Sequence, residues 1–353
     1  MSSPYNRPVY IWLWSGIILI SLMVVIGGIT RLTDSGLSMS EWNLIMGAIP
    51  PTSEAEWIET FEHYKQFPQY QQLNKGMELE KFKTIFFWEY LHRLLGRLLG
   101  IIFVIPFLYF WARGCFDHKL LKRMFILLGL GALQGAMGWI MVKSGLADVP
   151  YVSHNRLAIH FSLALILFAY CLWLALDVKY HSSLKKKEKE EIPYKKWMYS
   201  IAVILWIQII YGAFTAGLDA GYMYNTFPKM GGQWLPPTFS MLDPFFLNLI
   251  ENPGTIQWIH RLAGTVLLIA VGILSLKVYR SQDHKDLLPL SLALIGVILI
   301  QYFLGIFTLI YNVPISLGVL HQLVAVIFWG VLLGLWHKMK YRSLHADFNW
   351  KYA

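Results

Sequence analysis

The sequence predicts an all-α integral membrane protein, with eight transmembrane helices in two parallel-repeat four-helix bundles. Three observations lead there. The 353 residues are 56% hydrophobic and 16% aromatic, with a mean hydropathy of +0.48, a composition that excludes ordinary soluble classes. Eight apolar runs are each long enough for the roughly 20 helical residues that span a hydrocarbon core. Finally, motifs from the first half of the chain return in the second.

The runs fall near 9 to 29, 85 to 111, 123 to 142, 156 to 178, 197 to 216, 255 to 278, 288 to 311 and 316 to 337. The first starts close to Met1 without a small-residue cleavage site, so it is expected to be an uncleaved span, and no organelle presequence is visible. Most of the 30 Lys and Arg residues fall in the loops that share a side with the N-terminus. The positive-inside rule then places both termini in the cytoplasm, and a bacterial inner membrane is the simplest location. The net charge of +9 thus reports topology and gives no reason to expect nucleic acid. Cys115 and Cys171 fall toward the cytoplasmic ends of helices and are expected to be free thiols.

The duplication sets the domain boundaries. Gly27-Gly28-Ile29-Thr30 with Asp34-Ser35-Gly36 returns as Gly212-Ala213-Phe214-Thr215 with Asp219-Ala220-Gly221, and Gln134 with Gly138 as Gln301 with Gly305. Residues 1–178 and 197–353 are therefore expected to form like-oriented four-helix halves, joined by a charged linker, 179–196, that includes Lys185 to Glu191. The outer loop from Arg31 to Thr84 carries Trp42, Trp57, Phe61, Tyr64, Phe67 and Tyr70, with amphipathic helical spacing from Ser53 to Lys65. It reads as a cap over the first half; residues 217 to 254 read as a cap over the second.

Glu89-Tyr90-Leu91-His92-Arg93 returns as Gln257-Trp258-Ile259-His260-Arg261, and each copy is followed by a further intramembrane histidine, His160 and His321. At 1.5 Å per residue all four sit roughly 6 to 10 Å below the outer rim. Each half thus offers two imidazoles at one depth on helices that can face each other across a bundle. A lone intramembrane histidine is as often a packing residue as a ligand, but four in register favour ligation. Bis-imidazole binding of heme iron suits the pattern, with Gly96, Gly100 and Gly264 giving the macrocycle room. Zinc suits it less, since neither half completes a tetrahedral set. Arg31, Arg93, Arg156, Lys229 and Arg261 are candidate propionate or polar contacts; the plainer alternative is interfacial cations that snorkel. His154 and His337 read as ordinary residues of loops or helix ends. Glu89 stands one turn from His92 on the same helical face, so it is either paired with an Arg or poised for proton transfer or cation stabilisation. Gln257 keeps the shape without the charge, which assigns chemistry to the first half.

Gly28-Ile29-Thr30-Arg31-Leu32-Thr33-Asp34-Ser35-Gly36-Leu37-Ser38, His92-Arg93 with Gly96-Arg97, Asn225-Thr226-Phe227-Pro228-Lys229-Met230 and His260-Arg261-Leu262-Ala263-Gly264 together resemble the heme A synthase family over nearly the whole chain. The closest likeness is to the branch shared by mitochondria and many Gram-negative bacteria, whose first outer loop lacks cysteines. The resemblance implies an oxidoreductase that converts the C8 methyl of heme O into the formyl group of heme A in two successive oxidations, for terminal cytochrome oxidases. It further implies that His260 and His321 bind a resident heme b, and that His92 and His160 frame the substrate heme with Glu89 as the catalytic residue beside it. The implied partners are heme O, the bilayer, a membrane electron donor or acceptor, heme O synthase and a further copy of the chain. A farnesylated heme partitions into lipid, so a lateral opening in the wall of the first half is expected. The competing readings are a quinol-linked diheme cytochrome b and a transporter. The first calls for two histidines spaced along one helix and the second for a broken midplane helix, and the sequence offers neither.

Overall fold

The computed structural model describes residues 7–39, 49–147, 150–180 and 193–341. Trp42, His181, His345 and the charged run from Lys185 to Glu191 lie outside the described residues. The long helices are α1 (Arg7–Leu32), α4 (Leu79–Ala112), α5 (His118–Ala147), α6 (His154–Tyr180), α7 (Lys195–Gly217), α8 (Pro253–Arg280), α9 (Leu288–Ile310) and α10 (Ile315–Lys340). Two short helices, α2 (Glu54–Tyr64) and α3 (Pro68–Gln72), lie between α1 and α4. The eight long helices have the length and apolar composition to cross a membrane, as the hydropathy runs predict. An even number of crossings puts Arg7 and Lys340 on one side, here the terminal end. The four histidines lie toward the other, the histidine end.

Packing is continuous across the middle of the chain. Helix α1 lies against α4, α6 and α10, α6 lies against α5, α7 and α10, and α7 through α10 pack in succession. One hydrophobic core therefore draws on both halves, with Leu13 and Ile17 of α1, Phe168 and Leu172 of α6, Val271 of α8 and Phe328 and Leu332 of α10. Small residues allow the close approach: a β-carbon at Gly330 of α10 would stand 3.4 Å from Phe168. Polar ties cross the same seam. Trp329 Nε1 donates to Leu165 O at 3.2 Å. His337 Nε2 lies 2.9 Å from Asp177 Oδ1, and Arg123 Nη1, from α5 on Asp177's own side of the seam, holds the other oxygen, Oδ2, at 2.7 Å. His337 is thus a core residue, 1% exposed, where the sequence suggests an ordinary helix end. A polar group this deep is retained because its partners come with it.

Helix α4 begins at Leu79, earlier than the apolar run at residue 85, because a cap holds its first turns. Ser53 and Glu56 form a capping box that starts α2, as the amphipathic spacing from Ser53 predicts. The rings of Phe61 and Tyr64 then stack on Phe82 of α4 at centroid distances of 4.9 and 5.0 Å, and Trp57 meets Phe86 edge-on at 5.1 Å. Tyr64 is fully buried, and burial pushes its phenol up to about 12, so the hydroxyl stays protonated. It donates to Gln69 Oε1 at 3.0 Å and accepts from Asn74 Nδ2 at 2.8 Å. Gln69 Nε2 in turn donates to Asp34 O at 2.9 Å, tying the cap to the loop that leaves α1.

A second cap follows α7. Asn252 Oδ1 accepts from Gly254 N and Thr255 N and so starts α8. Asn225 Nδ2 donates to Leu309 O at 2.8 Å, anchoring this segment to α9.

Candidate functional site

Each of the four histidines meets a glycine of the neighbouring helix. A β-carbon at Gly27 of α1 would stand 3.0 Å from His92 Cε1; at Gly138 of α5, 3.2 Å from His160 Cε1; at Gly212 of α7, 3.0 Å from His260 Cε1; and at Gly305 of α9, 2.9 Å from His321 Cε1. Distances this short leave almost no space for a side chain. The glycines seat the imidazoles, a role the sequence reading missed, although their recurrence at matching positions was a usable signal. Gly96, Gly100 and Gly264, proposed from sequence to make room for a macrocycle, do not meet the imidazoles themselves. Gly264 faces Gln208, Gly96 faces Met23, and Gly100 has no neighbour close to its would-be β-carbon.

His160, His260 and His321 each lie about two turns into their helices, so they share a depth. His92 lies deeper in α4 only because that helix begins early. The ring centroids of His260 and His321 are 6.5 Å apart with planes at 77°. That span leaves room for a metal between them with bonds of about 2.0 Å to each ring nitrogen. Nδ1 of His92, His260 and His321 is buried without a hydrogen-bond partner, as are the amide oxygens of Gln134, Gln208 and Gln301. Those glutamines place their amide nitrogens 3.3 Å from ring nitrogens of His160, His260 and His321 respectively. A cluster of buried imidazoles with unpaired polar atoms is chemically suited to iron in a macrocycle. The residues present therefore fit a heme.

Glu89 is 3% exposed and fully engaged. Its Oε2 accepts from Ser38 Oγ at 2.7 Å and from Met39 N at 2.8 Å, while Oε1 accepts from Arg93 Nη2 at 2.5 Å. Arg93 also donates to Met39 O at 2.8 Å. The loop leaving α1 is thus clamped to α4 through a buried ion pair, the kind whose one-sided loss costs about 3–5 kcal/mol. Gln257 holds the matching place on α8 with reversed polarity. Its Nε2 donates to Ala220 O at 2.9 Å and Tyr224 O at 3.3 Å. Its Oε1 accepts from Arg261 Nη2 at 3.2 Å, and Arg261 donates to Thr226 O and Tyr224 O at 2.8 and 2.7 Å. One loop presents donors to a carboxylate; the other presents carbonyls to an amide.

The remaining cations separate from one another. Arg31 is 2.9 Å from Asp34 and 2.8 Å from Asp219, and it donates to Ala216 O at 2.6 Å. It clasps α1 to the loop after α7. Arg156 is half-buried and Lys229 exposed, the latter 5.7 Å from the Trp234 ring centroid. His154 is buried, 6% exposed, against the ring of Phe214 at 5.2 Å, so it is not the surface residue its loop position suggests. Cys115 and Cys171 are free thiols.

Residues 10–333 match the model of the COX15-CtaA family, described as cytochrome oxidase assembly proteins. A heme A synthase of Flavobacterium psychrophilum is 43% identical over 91% of this chain and 95% of its own length. One from Nitrosospira multiformis is 42% identical over 95% and 94%, and one from Wolbachia pipientis 43% identical over 92% and 90%. With its eight apolar helices and full-length likeness to these enzymes, the chain belongs to the COX15-CtaA family of cytochrome oxidase assembly proteins, the heme A synthases.

Proposed function

We propose that this protein is a heme A synthase, an oxidoreductase that oxidises the C8 methyl of heme O to the formyl group of heme A in two steps. The observation that carries this reading is the pair of like-built histidine pockets that differ in charge, one with Glu89 and the other with Gln257. Residues 1–178 form the substrate half and residues 197–353 the cofactor half, as parallel repeats joined by the linker at 179–196. His260 and His321 hold a resident heme b, which when bound supplies one-electron redox chemistry. His92 and His160 orient the substrate, and Gly27 and Gly138 allow their imidazoles to take that position.

Glu89 places a carboxyl group one turn from His92, and a negative charge there would favour removal of electrons and acceptance of a proton nearby. Arg93 and Ser38 hold the carboxylate in one orientation, so no reorganisation is needed when charge develops. Arg93, Arg261, Arg156 and Lys229 are candidate partners for propionates at the histidine end. The two caps keep bulk water from that end. The protein sits in a bacterial inner membrane with both termini in the cytoplasm. Heme O synthase, an electron partner in the membrane and a further copy of the chain are its proposed partners.

The test is direct. Purified protein incubated under air with heme O and a reductant yields heme A in the acid extract, identified by its shifted pyridine spectrum. Recovery of unmodified heme O alone, from protein that retains its resident heme, would rule the reading out.

A further inference from the structure

The two halves differ at the seam between their second and third spans. Helix α8 packs along α9, whereas α4 and α5 touch at few points. The residues explain the difference. Aligning His92 with His260 and Gly96 with Gly264 sets Gly100 against Leu268. Aligning Gln134 with Gln301 and Gly138 with Gly305 sets Gly131 against Ile298 and Gly135 against Tyr302. In the second half these three positions are filled: Leu268 packs on the core, Ile298 is 3% exposed, and Tyr302 OH lies 3.0 Å from Thr265 Oγ1 of α8. In the first half they are empty. A β-carbon at Gly100, Gly131 or Gly135 would have no neighbour within 4 Å, and Gly96, Gly100 and Gly135 are exposed.

The cleared positions lie on the turns next to the histidine contacts of the first half. Gly96 and Gly100 lie one and two turns below His92, and Gly135 and Gly131 one and two turns below Gly138, the glycine that meets His160. From His92 to Gly100 the groove runs about 12 Å toward the terminal end at 1.5 Å per residue. Its head holds two buried polar atoms without partners, His92 Nδ1 and Gln134 Oε1, so it opens from a ligand site rather than from plain lipid-facing surface. Its walls are apolar and face the bilayer, with Ile101 and Leu133 among the exposed side chains.

We propose that the groove between α4 and α5, cleared by Gly100, Gly131 and Gly135, receives the isoprenoid tail of the substrate heme and admits it sideways from the bilayer. This rests on the functional reading above, because only a heme with an apolar tail needs such an extension. The filled positions of the second half then match a tailless heme that stays in place. A lipid acyl chain is the rival occupant, and a groove filled by one would not distinguish heme O from protoheme.

The full chain, purified with its resident heme and reconstituted in lipid nanodiscs, is titrated with heme O and, separately, with protoheme, reading the Soret difference spectrum. In the variant Gly100→Leu/Gly131→Ile/Gly135→Tyr, built from the residues of the second half, heme O binding is expected to weaken at least tenfold. Protoheme binding is expected to change less than twofold. The resident heme spectrum reports folding, and the single variant Gly131→Leu, expected to show the same selectivity to a smaller degree, serves if the triple variant loses that spectrum. Equal weakening of both hemes, or of neither, in a folded variant overturns the tail groove. Failure of the unaltered chain to take up heme O at all overturns the functional reading, and the groove with it.

Discussion

Two pockets in this chain share a plan, and their differences teach more than the plan does. In both, an imidazole on the second span is seated by a glycine of the first, and an imidazole on the fourth by a glycine of the third. In both, an Arg four residues after the acid or amide donates to that residue and to a loop carbonyl. The loops then diverge. The loop after α1 offers a hydroxyl and an N–H to Glu89, whereas the loop after α7 offers carbonyls to Gln257. A carboxylate beside carbonyls is repelled, and an amide beside donors leaves one unmatched. Each loop therefore supports its own residue, and the charge difference belongs to the whole fold of each cap rather than to one codon.

The largest effect that separates the pockets concerns the resident heme. His260→Ala is expected to remove nearly all heme from protein purified without added heme O, and His92→Ala to leave it in place, as measured by pyridine hemochrome per mole of protein. Equal losses in the two variants would break the division of labour. Next comes the charge. Glu89→Gln is expected to lower turnover of heme O by about 10²-fold or more while the resident heme spectrum is unchanged. Gln257→Glu places a carboxylate against the carbonyls of Ala220 and Tyr224, with an expected loss of about 1–3 kcal/mol of stability read as a lower melting temperature. Full turnover in Glu89→Gln together with loss of turnover in Gln257→Glu would reverse the assignment. The smallest effect belongs to Arg31→Ala. Its carboxylate partners are largely solvent-exposed, 74% and 64%, so those pairs contribute less than about 1 kcal/mol. The spectra of both hemes should stay put. A shifted spectrum would mean that Arg31 touches a propionate, as the sequence alone suggests.

Features governed by one stretch of chain were legible in the sequence. The eight spans follow from hydrocarbon thickness, and the start of α2 follows from Ser53 and Glu56 within one turn. Features that need a distant partner were not legible. The first turn and a half of α4 holds Lys81 and Lys83 and reads as loop, yet Phe82 is fixed from outside by Phe61 and Tyr64. His337 looks like a helix end until Asp177, on a helix of the other half, turns it inward. Arg31 looks available until Asp219 arrives from beyond α7. At the candidate site the histidines and Glu89 could be picked out by type and spacing. The glycines that seat the rings could be aligned but not interpreted, because only the folded chain shows what they face.

Helix α1 carries adjacent glycines with opposite neighbours. Gly27 faces the ring of His92, while Gly28 lies hard against the amide of Gln322, the residue after His321. Between the His92 ring and the Gln322 amide, α1 is therefore at this point a helical backbone without side chains. A sideways shift or rotation of α1 is felt by the His92 ring and by Gln322 at once, and through Arg31 by the loops that follow α1 and α7.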